Sequence, residues 1–193
     1  MIRTAKESDI PAMLAIYAPY VENTTVSFEY EVPTPEAFAR RFTAFTRQFP
    51  WLVWEENGQV LGYAYACAPF ERSAYRWCAE PSIYLAPRAK GKGIAQKLYQ
   101  ALEAILKKQG YQVLYALVTQ ENAPSIRFHE KMGYEKRMIL PDCGFKLGRW
   151  LGLCWMEKRL KTVESPSGFP VSWLSIVQDA ESNGDFLSSL SLS

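Results

Sequence analysis

Ile83-Tyr84-Leu85-Ala86-Pro87-Arg88-Ala89-Lys90-Gly91-Lys92-Gly93-Ile94-Ala95 is the stretch on which the reading of this chain turns. An apolar, β-prone run enters a loop with two glycines one residue apart, and a long amphipathic pattern begins directly after them. Glycine at 91 and 93 lets backbone N–H groups approach an anion without a Cβ in the way. The unpaired N–H groups of a helix's first turn, together with its dipole, favour a phosphate at that point. Arg88, Lys90, Lys92 and Lys97 add positive charge around it. Taken alone, the same residues also suit a plain glycine turn with solvated cations. Two better-known phosphate cradles are excluded. There is no G-x-x-x-x-G-K-[ST], and no third glycine for the dinucleotide fingerprint.

Outward from this loop, a short strand is expected over Ile2–Ala5. Ser8 and Asp9 offer caps for a helix that carries Ile10, Met13, Leu14 and Tyr17 on one face. Thr34-Pro35-Glu36 starts a second helix, with Phe38, Phe42, Phe45 and Phe49 as a core stripe. Trp51–Glu55, Asn57-Gly58 and Gln59–Ala66 read as a hairpin, because Asn-Gly accepts the positive φ angles of a tight turn. A strand over Trp77–Leu85, a helix from Gly93 to Gln109 capped by Gly110 and a buried strand over Val113–Val118 follow. A short helix over Pro124–Met132 and strands near 134–140 and 150–159 complete the list. The order is β-α-α-β-β-β-α-β-α-β-β, a single mixed α/β domain over residues 1–160. From 161 to 193 the chain becomes proline- and serine-rich, and only Val171–Val177 is apolar enough to dock.

Composition narrows the function classes. A net charge of +2 is too small to argue for nucleic acid or an anionic membrane as partner. The single histidine excludes a site built on several imidazole ligands, and Cys67, Cys78, Cys143 and Cys154 form no C-x-x-C pair, so no metal is expected. No run approaches a membrane span, and charge precedes any apolar run at the start; reduced cysteines in the cytoplasm are the simplest reading.

R-x-x-G-x-G at Arg88–Gly93 after an apolar strand resembles the acyl-CoA signature of the GNAT superfamily of N-acetyltransferases. Asn122, Ser125, His129, Gly133 and Tyr134 match the second half of that pattern, with histidine in the aromatic slot. Thr25-Val26-Ser27-Phe28, Phe49–Val53, Arg72–Tyr75, Arg127–Glu130 and Gly144–Trp150 are similar to the phosphinothricin and methionine sulfoximine acetyltransferase branch. The resemblance implies an acyl-CoA N-acyltransferase fold, acetyl-CoA as co-substrate and a homodimer. It also implies site roles. Backbone groups of Ile83, Tyr84 and Leu85 would align the pantetheine arm. Arg88 and the run Gly91, Lys92, Gly93, Ile94, Ala95 and Gln96 would hold the pyrophosphate, with Asn122 and Ser125 at the pantetheine or acetyl end.

Glu80 stands at the position of the family's general base, and His129 at that of the acid that protonates the thiolate. An imidazole could serve there as donor or as base. Phe28, Arg72, Tyr75 and Arg76 fall where the branch builds its acceptor pocket, and an arginine suits a substrate carboxylate. The acceptor implied is a small amino acid or analogue. Two other readings are a protein N-terminus or lysine as acceptor, and a non-catalytic acetyl-CoA-binding module.

Overall fold

The computed structural model describes residues 1–161, 165, 166 and 168–176; the remainder of the serine-rich stretch, including Val177, lies outside the described residues. Among the described residues seven strands form one mixed sheet in the order β1-β2-β3-β4-β5-β7-β6. They are β1 (Ile2–Thr4), β2 (Trp51–Glu56), β3 (Gln59–Cys67), β4 (Cys78–Leu85), β5 (Val113–Thr119), β6 (Glu135–Lys146) and β7 (Arg149–Arg159). The helices are α1 (Ile10–Glu22), α2 (Pro35–Thr46), α3 (Ile94–Gln109) and α4 (Ala123–Lys131). This is the expected element order.

Local chemistry explains most boundaries. The Thr34 side chain accepts from Ala37 N at the head of α2, with Pro35 in the tolerated first position. Asn57 and Gly58 take φ of 50° and 74°, the two positive angles that the β2–β3 turn requires. Two cores result. Met13, Tyr17, Val21, Phe38 and Phe42 of α1 and α2 pack with Trp51, Val53 and Tyr63 on one face of the sheet. Leu98, Leu102, Ile105 and Leu106 of α3 pack with Leu52, Ala64, Leu114, Ala116 and Met156 on the other. Of the phenylalanine stripe, Phe49 lies beyond the helix end yet is still buried.

Two differences from the sequence reading matter. β6 runs to Lys146, well past Leu140, and almost all of its side chains are exposed. An edge strand open to solvent shows little apolar alternation, and the break in register around Pro141 and Asp142 hides the rest. The second concerns β4 and β5. They are neighbouring parallel strands, yet they pair only at Cys78–Val113 and Ala79–Leu114, then part.

Residues 168–176 lie against the ends of α2 and α3. Val171 N donates to Gln109 O at 2.9 Å, and Gln109 Nε2 returns a bond to Val171 O at 2.8 Å. Trp173 is buried and its Nε1 donates to Thr46 O at 2.7 Å. Among the described residues no helix is long and apolar enough to cross a membrane.

Candidate active site

The parting of β4 and β5 makes the site. Beyond Ala79, β4 keeps β3 on one side: Ile83, Tyr84 and Leu85 pair with Ala64, Tyr63 and Gly62. Among the described residues its other edge has no strand partner there. Pro81 sits in this strand, a residue tolerated where one edge of the ladder is unpaired. The cleft has a volume of about 70 Å³ and is lined by Glu80–Tyr84 from β4 and Ala116–Thr119 from β5, with Asn122, Ser125 and His129 closing it from α4 and Val26 from the α1–α2 connection. An extended chain laid in it would meet the free backbone groups of Ile83–Leu85 as a neighbouring strand would.

β4 leads directly to the glycine loop. Gly91 and Gly93 have φ of 78° and 74°, and Gly93 is the residue before α3, with no side-chain cap. A Cβ built on either glycine meets nothing of the protein within 4 Å, so within the chain itself the positive φ rather than crowding requires glycine here. The first intrahelical bond is Lys97 N to Gly93 O, which leaves the N–H groups of Ile94, Ala95 and Gln96 pointing out of the helix start. A row of unpaired amides of this kind suits an anion. Three of the cations around it are turned aside: Arg88 donates to Gln59 Oε1 at 2.6 Å, Lys90 sits over the Tyr20 ring and Lys97 over Trp54. Arg88 and Lys90 thereby border a separate concavity of about 770 Å³ between α1 and the β2–β3 turn.

Two titratable side chains face the cleft from opposite walls. Glu80 is partly buried, and among the described residues its carboxylate has no hydrogen-bond or ion-pair partner. Burial alone pushes its pKa above the ordinary carboxylate value. Beside it, burial first and the Glu80 charge second push the Cys67 thiol up to about 12, so that thiol stays protonated and is no competing nucleophile. His129 is 5% exposed, and burial lowers its pKa. Its Nδ1 lies 2.8 Å from Ser125 O and its Nε2 2.9 Å from the Tyr99 hydroxyl. Asn122 uses its side-chain oxygen to cap α4 through Ser125 N, which leaves its amide N–H₂ as the group it can offer a ligand.

The acceptor-side expectations divide. Phe28 lies on the α1–α2 connection with its ring against Gly144 of β6, close to the cleft residue Val26. Arg72, Tyr75 and Arg76 do not line the cleft within this chain. Arg72 and Arg76 border a separate cavity of about 290 Å³ with Tyr111, Phe169 and Pro170, and Tyr75 packs on Phe70. The connection is held away by Phe70 stacking on Trp155 and by the Arg76 guanidinium lying 4.0 Å from the Phe169 ring.

Two residues not singled out by the sequence reading also shape the site. Tyr99 stands behind His129. Lys146, 4% exposed, donates from Nζ to Val21 O and Ser27 O at 2.6 Å each, so β6 grips the connection that carries Val26 and Phe28. Tyr30 to Phe145 O and Thr119 to Thr25 O tie the same connection down. A lone lysine in an edge strand reads as a surface charge; the sequence carries it only inside the Gly144–Trp150 stretch, with nothing to mark its role.

The sequence and the fold also match known proteins. Residues 2–155 match the family described as the acetyltransferase (GNAT) domain. A phosphinothricin N-acetyltransferase of Alcaligenes faecalis is 38% identical, the match covering 82% of this chain and 82% of that protein. An L-methionine sulfoximine/L-methionine sulfone acetyltransferase of Pseudomonas aeruginosa is 39% identical over 85% of this chain and 96% of its own length. The structure of a GNAT superfamily phosphinothricin acetyltransferase from Sinorhizobium meliloti in complex with AcCoA superposes with a TM-score of 0.84 at 33% identity, covering 90% of this chain and 97% of that one.

Proposed function

The chain belongs to the GNAT acetyltransferase family, and within it we propose that this N-acetyltransferase moves the acetyl group of acetyl-CoA to the amine of a small amino acid or analogue of the phosphinothricin or methionine sulfoximine type. One observation carries the reading: a free strand edge runs from Glu80 to an anion cradle at the head of α3. The activities of the two relatives support the acceptor class.

Bound acetyl-CoA supplies an activated acetyl thioester. Ile83, Tyr84 and Leu85 would hold its pantetheine arm through backbone groups, and the Ile94, Ala95 and Gln96 amides of the Gly91–Gln96 turn its pyrophosphate, with Lys92 adding charge. Asn122 and Ser125 border the acetyl end. Glu80 acts as general base, taking the proton that the attacking amine sheds. Its raised pKa brings it nearer working pH, where a base both exists ionised and has driving force. Holding amine and thioester together contributes several kcal/mol, with about 7–11 as the upper range. His129 is the second titratable group on the cleft, on the wall opposite Glu80.

The chain is also proposed to form a homodimer. Leu117, Met138 and Leu140 are exposed on a sheet face that neither α1 nor α2 covers, an apolar surface suited to a second copy. Light scattering at micromolar concentration tests this; a monomer throughout would refute it.

The deciding experiment follows thiol release from acetyl-CoA with phosphinothricin, methionine sulfoximine, the common amino acids and short peptides. Release with phosphinothricin, methionine sulfoximine or an amino acid, and not with peptides, is expected. Acetyl-CoA binding without release on any acceptor would overturn the proposed acetyl transfer.

A further inference from the structure

The His129 ring has both nitrogens engaged, and the partners determine where its proton lies. Nδ1 lies 2.8 Å from Ser125 O and 3.4 Å from Ser125 Oγ; the nearer partner is a carbonyl that can only accept, so Nδ1 carries a hydrogen and the hydroxyl is the weaker, secondary contact. In the neutral ring Nε2 is then a bare lone pair, and the Tyr99 hydroxyl at 2.9 Å must be its donor. Tyr99 is fully buried in the middle of α3, its ring edge-on to His129 and to Phe128. It has no place on the cleft wall.

We propose that Tyr99 is a positioning residue that occupies the Nε2 lone pair of His129, so that the imidazole is held neutral as the Nδ1–H tautomer and does not act as base toward the acceptor amine. The assignment rests on the acetyl-transfer reading for its consequence, which is that Glu80 alone takes the amine proton. It does not rest on that reading for its geometry.

The surroundings agree. Tyr99 of α3 and Tyr134 after α4 pack on the ring; Glu103 of α3 and Glu80 of β4 act on the Tyr99 hydroxyl rather than on the imidazole, and Lys158 of β7 pairs with Glu103. Glu103, the carboxylate on the α3 side, is bound by Lys158 at 2.6 Å. Among the described residues no carboxylate acts on the imidazole itself, so an imidazolium would be buried without a counter-ion, a costly state. The hydroxyl also lies 3.3 Å from Pro81 O, next to Glu80. Protonating Nε2 would force Tyr99 to accept from it and turn its own hydrogen toward that carbonyl. The hydroxyl therefore reports the charge on His129.

Because the chain contains one histidine, its imidazole signals are unambiguous. The test uses the ¹⁵N-labelled full-length protein and two-bond ¹H–¹⁵N correlation near pH 7.5. A protonated Nδ1 with an unprotonated Nε2 is expected; the Nε2–H tautomer or an imidazolium at that pH would overturn the proposal. A second measurement follows carbethoxylation of His129, in which the lone pair of an unprotonated ring nitrogen attacks a carbonyl of diethyl pyrocarbonate. Wild type should react slowly, and Tyr99→Phe, which keeps the ring and removes only the hydroxyl, roughly tenfold faster, as the loss of one hydrogen bond implies. Equal rates in two proteins with matching near-ultraviolet circular dichroism would refute the role of Tyr99. Neither readout needs an acceptor, so they stand even if no acetyl transfer is found.

Discussion

Trp173→Ala is the most informative single change outside the cleft. The indole is 7% exposed and sits with the α3 core, and its Nε1 donates to Thr46 O at 2.7 Å. A buried tryptophan covers about 150–250 Å², worth about 4–6 kcal/mol as an upper bound at 25 cal/mol/Å². In a rigid core the truncation would cost about 3–5 kcal/mol. Here the wall is a segment that can leave. What else holds it is the Val171–Gln109 pair, weaker bonds from Gln48 at 3.3 Å, the Trp77 Nε1 bond to Gly168 O and the Phe169 ring under Arg76.

Each of those hydrogen bonds is worth about 1 kcal/mol net, and water replaces it on release. The cost should therefore stop where undocking becomes cheaper than keeping a cavity, at about 2–3 kcal/mol. For a domain of this size that lowers Tm by about 4–12 °C. Trp173→Phe, which keeps most of the apolar area and loses the N–H bond, should lose only about 1 kcal/mol. Scanning calorimetry on the full chain reads both. A docked, load-sharing segment is refuted if Trp173→Ala unfolds within about 1 °C of wild type, or if the phenylalanine variant is the weaker of the two.

Three further outcomes are expected at the site. Glu80→Gln should lower kcat by about 10²–10⁴, the usual worth of a general base. It should also stabilise the protein at neutral pH: a carboxyl with a raised folded pKa favours folding below its unfolded pKa, and that advantage is lost as pH rises through the folded value, so removing the charge helps above it. The stability difference should vanish in acid, and denaturant titrations at two pH values read it. Lys146→Met should raise the acceptor KM and leave the acetyl-CoA KM unchanged, because it frees Val21 O and Ser27 O and loosens the connection bearing Phe28. Equal changes in both KM values would count against that role. Gly144→Ala should act the same way by another route, since its Cβ would lie 2.4 Å from Phe28 Cε2 and must displace the ring; unaltered acceptor kinetics would disprove the contact.

What could be read from the chain before folding was the chemistry that is local in sequence. The glycine loop, its helix, the Asn57-Gly58 turn and the phenylalanine stripe each depend on residues within a few positions of one another, and each is present. The parting of β4 and β5 is not local: it depends on pairs 35 residues apart, Cys78–Val113 and Ala79–Leu114, and on where that pairing stops. No periodicity marks such a stop. The same holds for Tyr99, which reads as one more apolar position of an amphipathic helix, and for Lys146, whose partners are backbone carbonyls of another element. A motif can thus place His129 on the cleft without saying what its nitrogens do.

The glycine loop shows where that boundary falls within a single motif. Read from sequence, its glycines provide room: no Cβ, so an anion can come close. In the folded chain the space beside Gly91 and Gly93 is open, and the requirement is for φ near +75° at two positions, which turns the chain so that three amides leave α3 in parallel. Room and φ have different experimental consequences. If room were the only constraint, alanine at 93 would damage acetyl-CoA binding and leave the unliganded fold untouched. If φ is the constraint, the left-handed conformation costs a non-glycine residue about 1–2 kcal/mol whether or not a ligand is present. Gly93→Ala should therefore lower Tm in the absence of acetyl-CoA as well as weaken its binding. A Tm equal to wild type without ligand would leave room as the only constraint.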